Sequence, residues 1–255
     1  MNVMIAAARK AGRALARDFG EVENLQVSRK GPSDFVSSAD IKAETTLFEE
    51  LSKVRPGYGF VMEERGVVEG TDKTNRWIVD PLDGTTNFLH SIPHFAISIA
   101  LEREGVLVAG VVYNVVRDEL FWAEKGAGAY LNDRRLRVAS RSDMRDALFA
   151  CGTPFRGKPG HEEALLEIER VISRTAGIRR MGAASLDLAY VAAGRFDGFW
   201  ERNLAIWDIA AGAVLVREAG GAVNEIDGGD FMKTGAIVAS NPTLIGPLTQ
   251  TVRSS

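Results

Sequence analysis

The sequence predicts an α/β protein: one compact body with a strand-rich first half and a second half that alternates strands with helices. Three observations carry this reading. Residues 96–101, 106–113 and 119–124 are apolar runs separated by short polar or glycine-containing turns, the pattern of consecutive antiparallel strands. From residue 147 onward, short apolar runs alternate with longer segments of helical periodicity. No repeat, low-complexity tract or linker interrupts the 255 residues, so 1–255 is read as a single domain.

The elements follow in order. Residues 2–18 read as an amphipathic helix, because Val3, Ala6, Ala7, Ala11 and Leu15 recur at helical spacing. A second helix covers 37–54, with Asp40 near its start. Gly57-Tyr58-Gly59 leads into a short strand, 60–62, and Thr71 to Asn75 reads as a polar turn. Trp77-Ile78-Val79 is a compact apolar strand expected to stop at Asp80-Pro81, since proline cannot donate to a ladder. In the second half, strands at 147–151, near Ile178 and at 196–201 precede helices at 161–175, 183–193 and 207–219. Gly220-Gly221 closes the last of these helices. Two short strands and a C-terminal helix from Pro242 complete the chain.

Composition excludes several function classes. The net charge is -3, so no global basic field recruits nucleic acid or an anionic membrane. The Arg134, Arg135, Arg137 cluster reads as a solvated turn. The single cysteine, Cys151, cannot form an internal disulfide and lies in an apolar run, as a small buried hydrophobe does. Arg9, Lys10 and Arg13 interrupt the N-terminal segment, which therefore lacks a signal peptide's unbroken apolar stretch. No run approaches the roughly 20 apolar residues of a membrane span. A soluble, cytoplasmic protein is expected.

The chemistry concentrates in acids that end or begin apolar elements. In Asp80-Pro81-Leu82-Asp83-Gly84-Thr85-Thr86, two carboxylates sit three residues apart after a buried strand, and a helix is expected to start at the turn. The main-chain N–H groups of Gly84 and Thr85 would open that helix, where anions bind. Glu63 and Glu64 follow the 60–62 strand, and Trp207-Asp208 begins a later helix. Taken singly, these are a turn with a helix cap, a solvated edge and a helix start. If Glu63, Asp80, Asp83 and Asp208 converge, each pair about 4 Å apart repels by roughly 4 kcal/mol at an effective dielectric near 20. Such a cluster needs a cation or shifted pKa values. Oxygen-only donors favour Mg²⁺ over zinc, and Mg²⁺ would turn an acidic pocket into one that attracts a phosphate dianion.

Two segments, Trp77-Ile-Val-Asp-Pro-Leu-Asp-Gly-Thr-Thr-Asn-Phe88 and Trp207-Asp-Ile-Ala-Ala-Gly…Glu218-Ala-Gly-Gly221, resemble the signatures of the inositol monophosphatase family, closest to its bacterial SuhB-type branch. The likeness runs from the first helix to Ser240-Asn241. It implies a five-layer αβαβα sandwich like that of fructose-1,6-bisphosphatase, a homodimer, inhibition by lithium, and two Mg²⁺ ions, with a third near Glu63 as an option. By matched position, it implies metal ligation by Glu63, Asp80, the Leu82 carbonyl, Asp83 and Asp208. It implies that Thr85 and Asp40 orient and deprotonate the attacking water, with no phospho-enzyme. Gly84 and Thr85 would cradle the phosphate, while Glu201 and the Gly182-Ala183-Ala184 loop would meet the sugar ring, with Asp208 also near the substrate.

The implied reaction is hydrolysis of inositol 1-phosphate. Fructose 1,6-bisphosphate, 3′-phosphoadenosine 5′-phosphate and histidinol phosphate remain rivals, because the acids do not discriminate among them. The SuhB likeness also raises association with RNA polymerase or Nus factors. Arg65 stands where the family has a small residue, and could pair with Glu64 or weaken a peripheral metal. Arg156 and Lys158 read as loop charges or as contacts to an extra phosphate. Arg179 and Arg180 could line the site, or sit on a solvated strand edge or in a dimer contact. His90 and His94 read as loop or core histidines, because a metal-activated water needs no imidazole.

Overall fold

A computed structural model describes residues 1–21, 27–31 and 34–253. Among them, α1 (Asn2–Phe19) and α2 (Ser38–Val54) pack together on one face of an eight-stranded sheet. That sheet contains β3 (Tyr58–Met62), β4 (Gly66–Val68), β5 (Asp72–Asp83), β6 (Ala96–Arg103), β7 (Val106–Asn114), β8 (Glu119–Glu124), β9 (Gly128–Leu131) and β10 (Arg134–Arg135). A separate pair, β1 (Val27–Gly31) and β2 (Asp34–Ser37), forms an antiparallel hairpin before α2.

A second sheet has five strands in the order β12-β11-β13-β15-β14. Its members are β11 (Leu148–Cys151), β12 (Gly177–Arg179), β13 (Gly198–Glu201), β14 (Ala222–Glu225) and β15 (Ile237–Ser240). Helices α5 (Ala184–Ala192) and α6 (Ile206–Glu218) lie between the two sheets, and α4 (His161–Ile172) and α8 (Ile245–Arg253) cover the outer face of the second. Two short helices, α3 (Thr85–Leu89) and α7 (Phe231–Thr234), complete the set. The stack is α, β, α, β, α, as the resemblance implies.

The period-2 alternation of strand side chains produces these layers. On β5, Trp77 and Val79 join the core under α1 and α2, while Ile78 joins the central core around α5 and α6. On β13, Phe199 faces the same central core and Trp200 faces α4 and α8. Helices α5 and α6 are apolar nearly all round because sheets cover both their faces.

Two expectations are corrected on β5. Residues 72–75 are strand rather than turn, since β5 pairs with β3 in parallel and with β6 in antiparallel fashion. Asp72 still makes a local turn-like cap, accepting from the Thr74 N–H and Oγ1 and from Asn75 Nδ2. The strand also continues past Pro81. Its pairing with β6 skips from Asp80–Ser98 to Asp83–Ala96, so Pro81 sits in a bulge where no ladder donor is needed. That bulge turns two acids toward one end of the sheet. Helix α4 ends at Ile172 rather than 175, and α8 starts at Ile245 rather than at Pro242.

Candidate active site

The acids meet where β3, β5, α5 and α6 converge. One carboxylate oxygen from each of Asp80, Asp83 and Asp208 lies within 4.8 Å of the others, a group that could hold a metal ion. Each acid is fixed by a main-chain donor. Asp80 Oδ1 accepts from the Leu82 N–H at 2.9 Å. Asp83 Oδ2 accepts from the N–H and Oγ of Ser185, at 2.8 and 2.5 Å, and so caps α5 from outside the helix. Asp208 Oδ2 accepts from the Ala205 N–H at 2.7 Å and caps its own helix, α6. One oxygen of each is thereby committed to the backbone, and the other remains a candidate ligand.

Glu63 follows β3 and stands outside that group of three, yet it is close enough to raise the Asp80 pKa. It lines the same cleft, about 500 Å³ in volume, with Asp83, Gly84, Thr85, Gly182, Ala184, Glu201 and Asp208. Burial, then Glu63, Asp83 and Asp208, push the Asp80 pKa well above the usual carboxylate range. Asp208 is driven the same way by burial, Asp83 and Glu63. Burial raises Asp83 to about 6 against the pull of its Ser185 bonds. Burial is the largest cause for all three, and at Asp80 and Asp208 the neighbouring carboxylates add to it, as expected of converged acids without a cation.

Asp40 reaches the Asp80–Thr85 turn from α2, through Thr85. It is buried in the first turn of α2, where its Oδ2 accepts from the N–H and Oγ of Ser37 at 2.8 and 2.5 Å. Thr85 Oγ1 stands 3.1 Å from Asp40 Oδ1 and 3.0 Å from the Leu82 carbonyl. The single hydroxyl proton therefore has acceptors on the protein side, which frees an oxygen lone pair for a water. Desolvation raises the Asp40 pKa, making its carboxylate a better proton acceptor.

Gly84, at φ 91° and ψ 34°, caps α3 in the left-handed region. A Cβ there would meet the His94 carbonyl at 3.1 Å and Ala183 Cβ at 3.3 Å, so glycine serves both conformation and packing. Asn87 donates to the carbonyls of His94 and Met181 at 2.8 and 2.9 Å, tying the phosphate-type turn to the Gly182 loop. The Glu201 carboxyl group rests on Gly152: an added Cβ there would lie 1.8 Å from Glu201 Cδ. Burial lifts the Glu201 pKa to about 8, opposed by Arg180 and reinforced by Asp83.

Sequence reasoning assigned no role to Ser185, Asn87 or Gly152. An aspartate that caps a helix about a hundred residues away, or a glycine that seats a distant carboxylate, leaves no local pattern. Of the other residues singled out, Arg65 pairs with Glu44 at 3.6 Å and lies over the Phe48 ring at 4.4 Å, turned onto α2 rather than toward Glu64. Arg156 and Lys158 are exposed and do not line the cleft, whereas Arg180 and His90 do. His94 is buried, its Nε2 4.0 Å from Asp187 Oδ1, and neither atom has a hydrogen-bond partner. Burial pushes the Cys151 thiol up to about 12, which makes it inert as a nucleophile.

A profile of the inositol monophosphatase family matches residues 1–255. The chain belongs to this family. It is 60% identical over 254 residues to an inositol-1-monophosphatase of Mesorhizobium japonicum, spanning 99% of this chain and 96% of that relative. It is 43% identical to the Escherichia coli K12 protein named Nus factor SuhB, spanning 99% of this chain and 95% of that one. The crystal structure of the extragenic suppressor protein SuhB from Bartonella henselae superposes with a TM-score of 0.97 at 57% identity, covering 100% of this chain and 98% of that one. Membership of the inositol monophosphatase family makes the protein a phosphatase.

Proposed function

We propose that this phosphatase hydrolyses inositol 1-phosphate to inositol and inorganic phosphate with Mg²⁺ held in the acidic cluster. The observation that carries the reading is the convergence of Asp80, Asp83 and Asp208 within 4.8 Å beside the Gly84-Thr85 turn. The donor set fits a hard cation, because it is all carboxylate oxygen with no histidine or cysteine in the group. Glu63, Asp80, the Leu82 carbonyl, Asp83 and Asp208 would hold two Mg²⁺ ions, or three. When bound, these ions supply charge neutralisation and Lewis acidity toward the phosphate.

The chain's own residues do the rest. Gly84 and Thr85 offer main-chain N–H groups to phosphate oxygens. Thr85 Oγ1 accepts from the attacking water while its own proton points to Asp40. As the water oxygen bonds to phosphorus and the ester P–O bond breaks, the water's proton passes through Thr85 to Asp40, and the departing alcohol oxygen takes up a proton from solvent. Glu201, Gly182 and Ala184 face the alcohol portion, and Asp208 borders both regions. We further propose that the chain acts as a single domain, forms a homodimer, works in the cytoplasm and is inhibited by lithium.

A turnover panel of inositol 1-phosphate, fructose 1,6-bisphosphate, 3′-phosphoadenosine 5′-phosphate and histidinol phosphate, run with Mg²⁺ and then with lithium, tests the assignment. Inositol 1-phosphate is expected to give the highest kcat/KM. Much faster hydrolysis of another substrate overturns the substrate while leaving the reaction class standing.

The 43% identity to the Escherichia coli protein named Nus factor SuhB supports a second role, binding to RNA polymerase or Nus factors. The net charge of -3 favours a protein partner over nucleic acid. A pull-down with the catalytically impaired Asp83→Asn variant tests it. Retained partner capture is expected, and capture that vanishes with activity contradicts an independent role.

A further inference from the structure

Three adjacent parallel strands end at one rim of the cleft. β11 pairs with β12 through Ala150–Arg179 and with β13 through Cys151–Trp200. Extending the register by one residue places Arg180 and Glu201 on either side of Cys151-Gly152, at the carboxyl ends of the strands. Such ends are where open α/β sheets bind ligands.

Both side chains are seated on the segment that follows β11. The Glu201 carboxyl group lies against Gly152. Arg180 Nε donates to Thr153 Oγ1 at 3.3 Å, and its guanidinium lies over Gly182, where an added Cβ would come within 2.8 Å of NH1. Among the described residues lining the cleft, Arg180 is the one guanidinium or ammonium, and it forms no ion pair. Glu201 receives no hydrogen bond from a described residue. An acceptor without a donor and a fork with N–H groups to spare therefore stand side by side at the alcohol end of the cleft.

We propose that Arg180 is a specificity residue, which with Glu201 reads adjacent hydroxyls of the substrate's alcohol: one hydroxyl accepts from Arg180 and its neighbour donates to Glu201. The assignment rests on the phosphatase reading above. It selects a vicinal polyol over a second phosphate, because the pair offers one donor fork beside one acceptor, where a phosphate needs donors throughout. It also gives Gly152 and Thr153 a purpose, the seating of the pair.

The test compares kcat/KM for inositol 1-phosphate with that for phenyl phosphate, whose alcohol has no further hydroxyl, in the Mg²⁺-loaded full chain. Arg180→Ala should lower the ratio of the two on the order of tenfold, the value of one charge-assisted hydrogen bond. Arg180→Lys should recover only part of the ratio, because an ammonium keeps the charge and loses the fork. A ratio equal to that of the unsubstituted chain, whether both substrates hold or both fall together, overturns the assignment. Inositol 1-phosphate hydrolysis by the unsubstituted chain reports separately on the underlying reading. Its absence would sink that reading, whereas its presence with an unmoved ratio sinks only the role of Arg180.

Discussion

The acids differ in what each is asked to do, and single substitutions separate them. Asp80 shares the cluster with Asp83 and Asp208, and Glu63 adds to the charge around it. Asp80→Asn should therefore cut kcat by roughly 10³-fold or more, since an amide offers a neutral ligand where the site needs a charged one. Steady-state kinetics at saturating Mg²⁺ checks it, and near-normal turnover removes Asp80 from the metal site. Glu201→Gln should instead redistribute kcat/KM across the substrate panel, because this residue faces the alcohol. An unchanged panel removes Glu201 from that role.

Much of this was readable in the sequence, since Asp80, Asp83 and Asp208 sit at the ends of strongly apolar segments. Their helpers were not. Ser185 reaches Asp83 from a different helix, and Thr153 meets Arg180 only because β11 and β12 are neighbours.

At the scale of elements, the decisive device is the bulge at Asp80–Asp83 and the left-handed turn after it. A proline read as a strand stop is in fact the residue the bulge tolerates, so the strand delivers Asp83 as well as Asp80. Period and composition identified α1, α2, α5, α6 and β6–β8, where core contacts dominate. They missed β4 and β10, short edge strands with partly exposed side chains, and β9, a buried strand of only four residues beside β10.

Gly84→Ala tests the turn. A left-handed φ costs an L-residue roughly 1–2 kcal/mol, and the Cβ must also displace Ala183 or the chain at His94–Phe95. Chemical denaturation should show a loss of that order, accompanied by a KM increase for every phosphate ester. A stable variant with native KM contradicts the assigned turn.

Across the whole molecule, the eight-stranded sheet with its α1–α2 layer supplies Asp40, Glu63, Asp80 and Asp83, while α5, α6 and the second sheet supply Ser185, Asp208, Glu201 and Arg180. The cleft exists only where these layers meet. Burying carboxyl groups there leaves a thermodynamic signature.

Asp83, at about 6, and Glu201, at about 8, are raised above their unfolded values near 4. The folded chain then binds more protons than the unfolded one between pH 4 and 8. In chelator, stability from these groups should fall as pH rises through that window, and it should be unaffected by them below pH 4. Mg²⁺ should oppose the fall, so the Tm gain on adding the ion should be larger at pH 8 than at pH 5, by at least roughly 4 °C. Scanning calorimetry with and without Mg²⁺ measures both curves. An equal gain at the two pH values contradicts this account of the buried carboxyl groups.

Phosphate release from inositol 1-phosphate, measured while Mg²⁺ is titrated into the chelator-stripped protein, tests the central claim most directly. The account predicts no release before addition, a saturable rise with Mg²⁺, and no such rise for Asp80→Asn at the same concentrations. Release that is already complete in chelator, or that proceeds undiminished in Asp80→Asn, would show that the converged carboxylates are not the seat of the reaction.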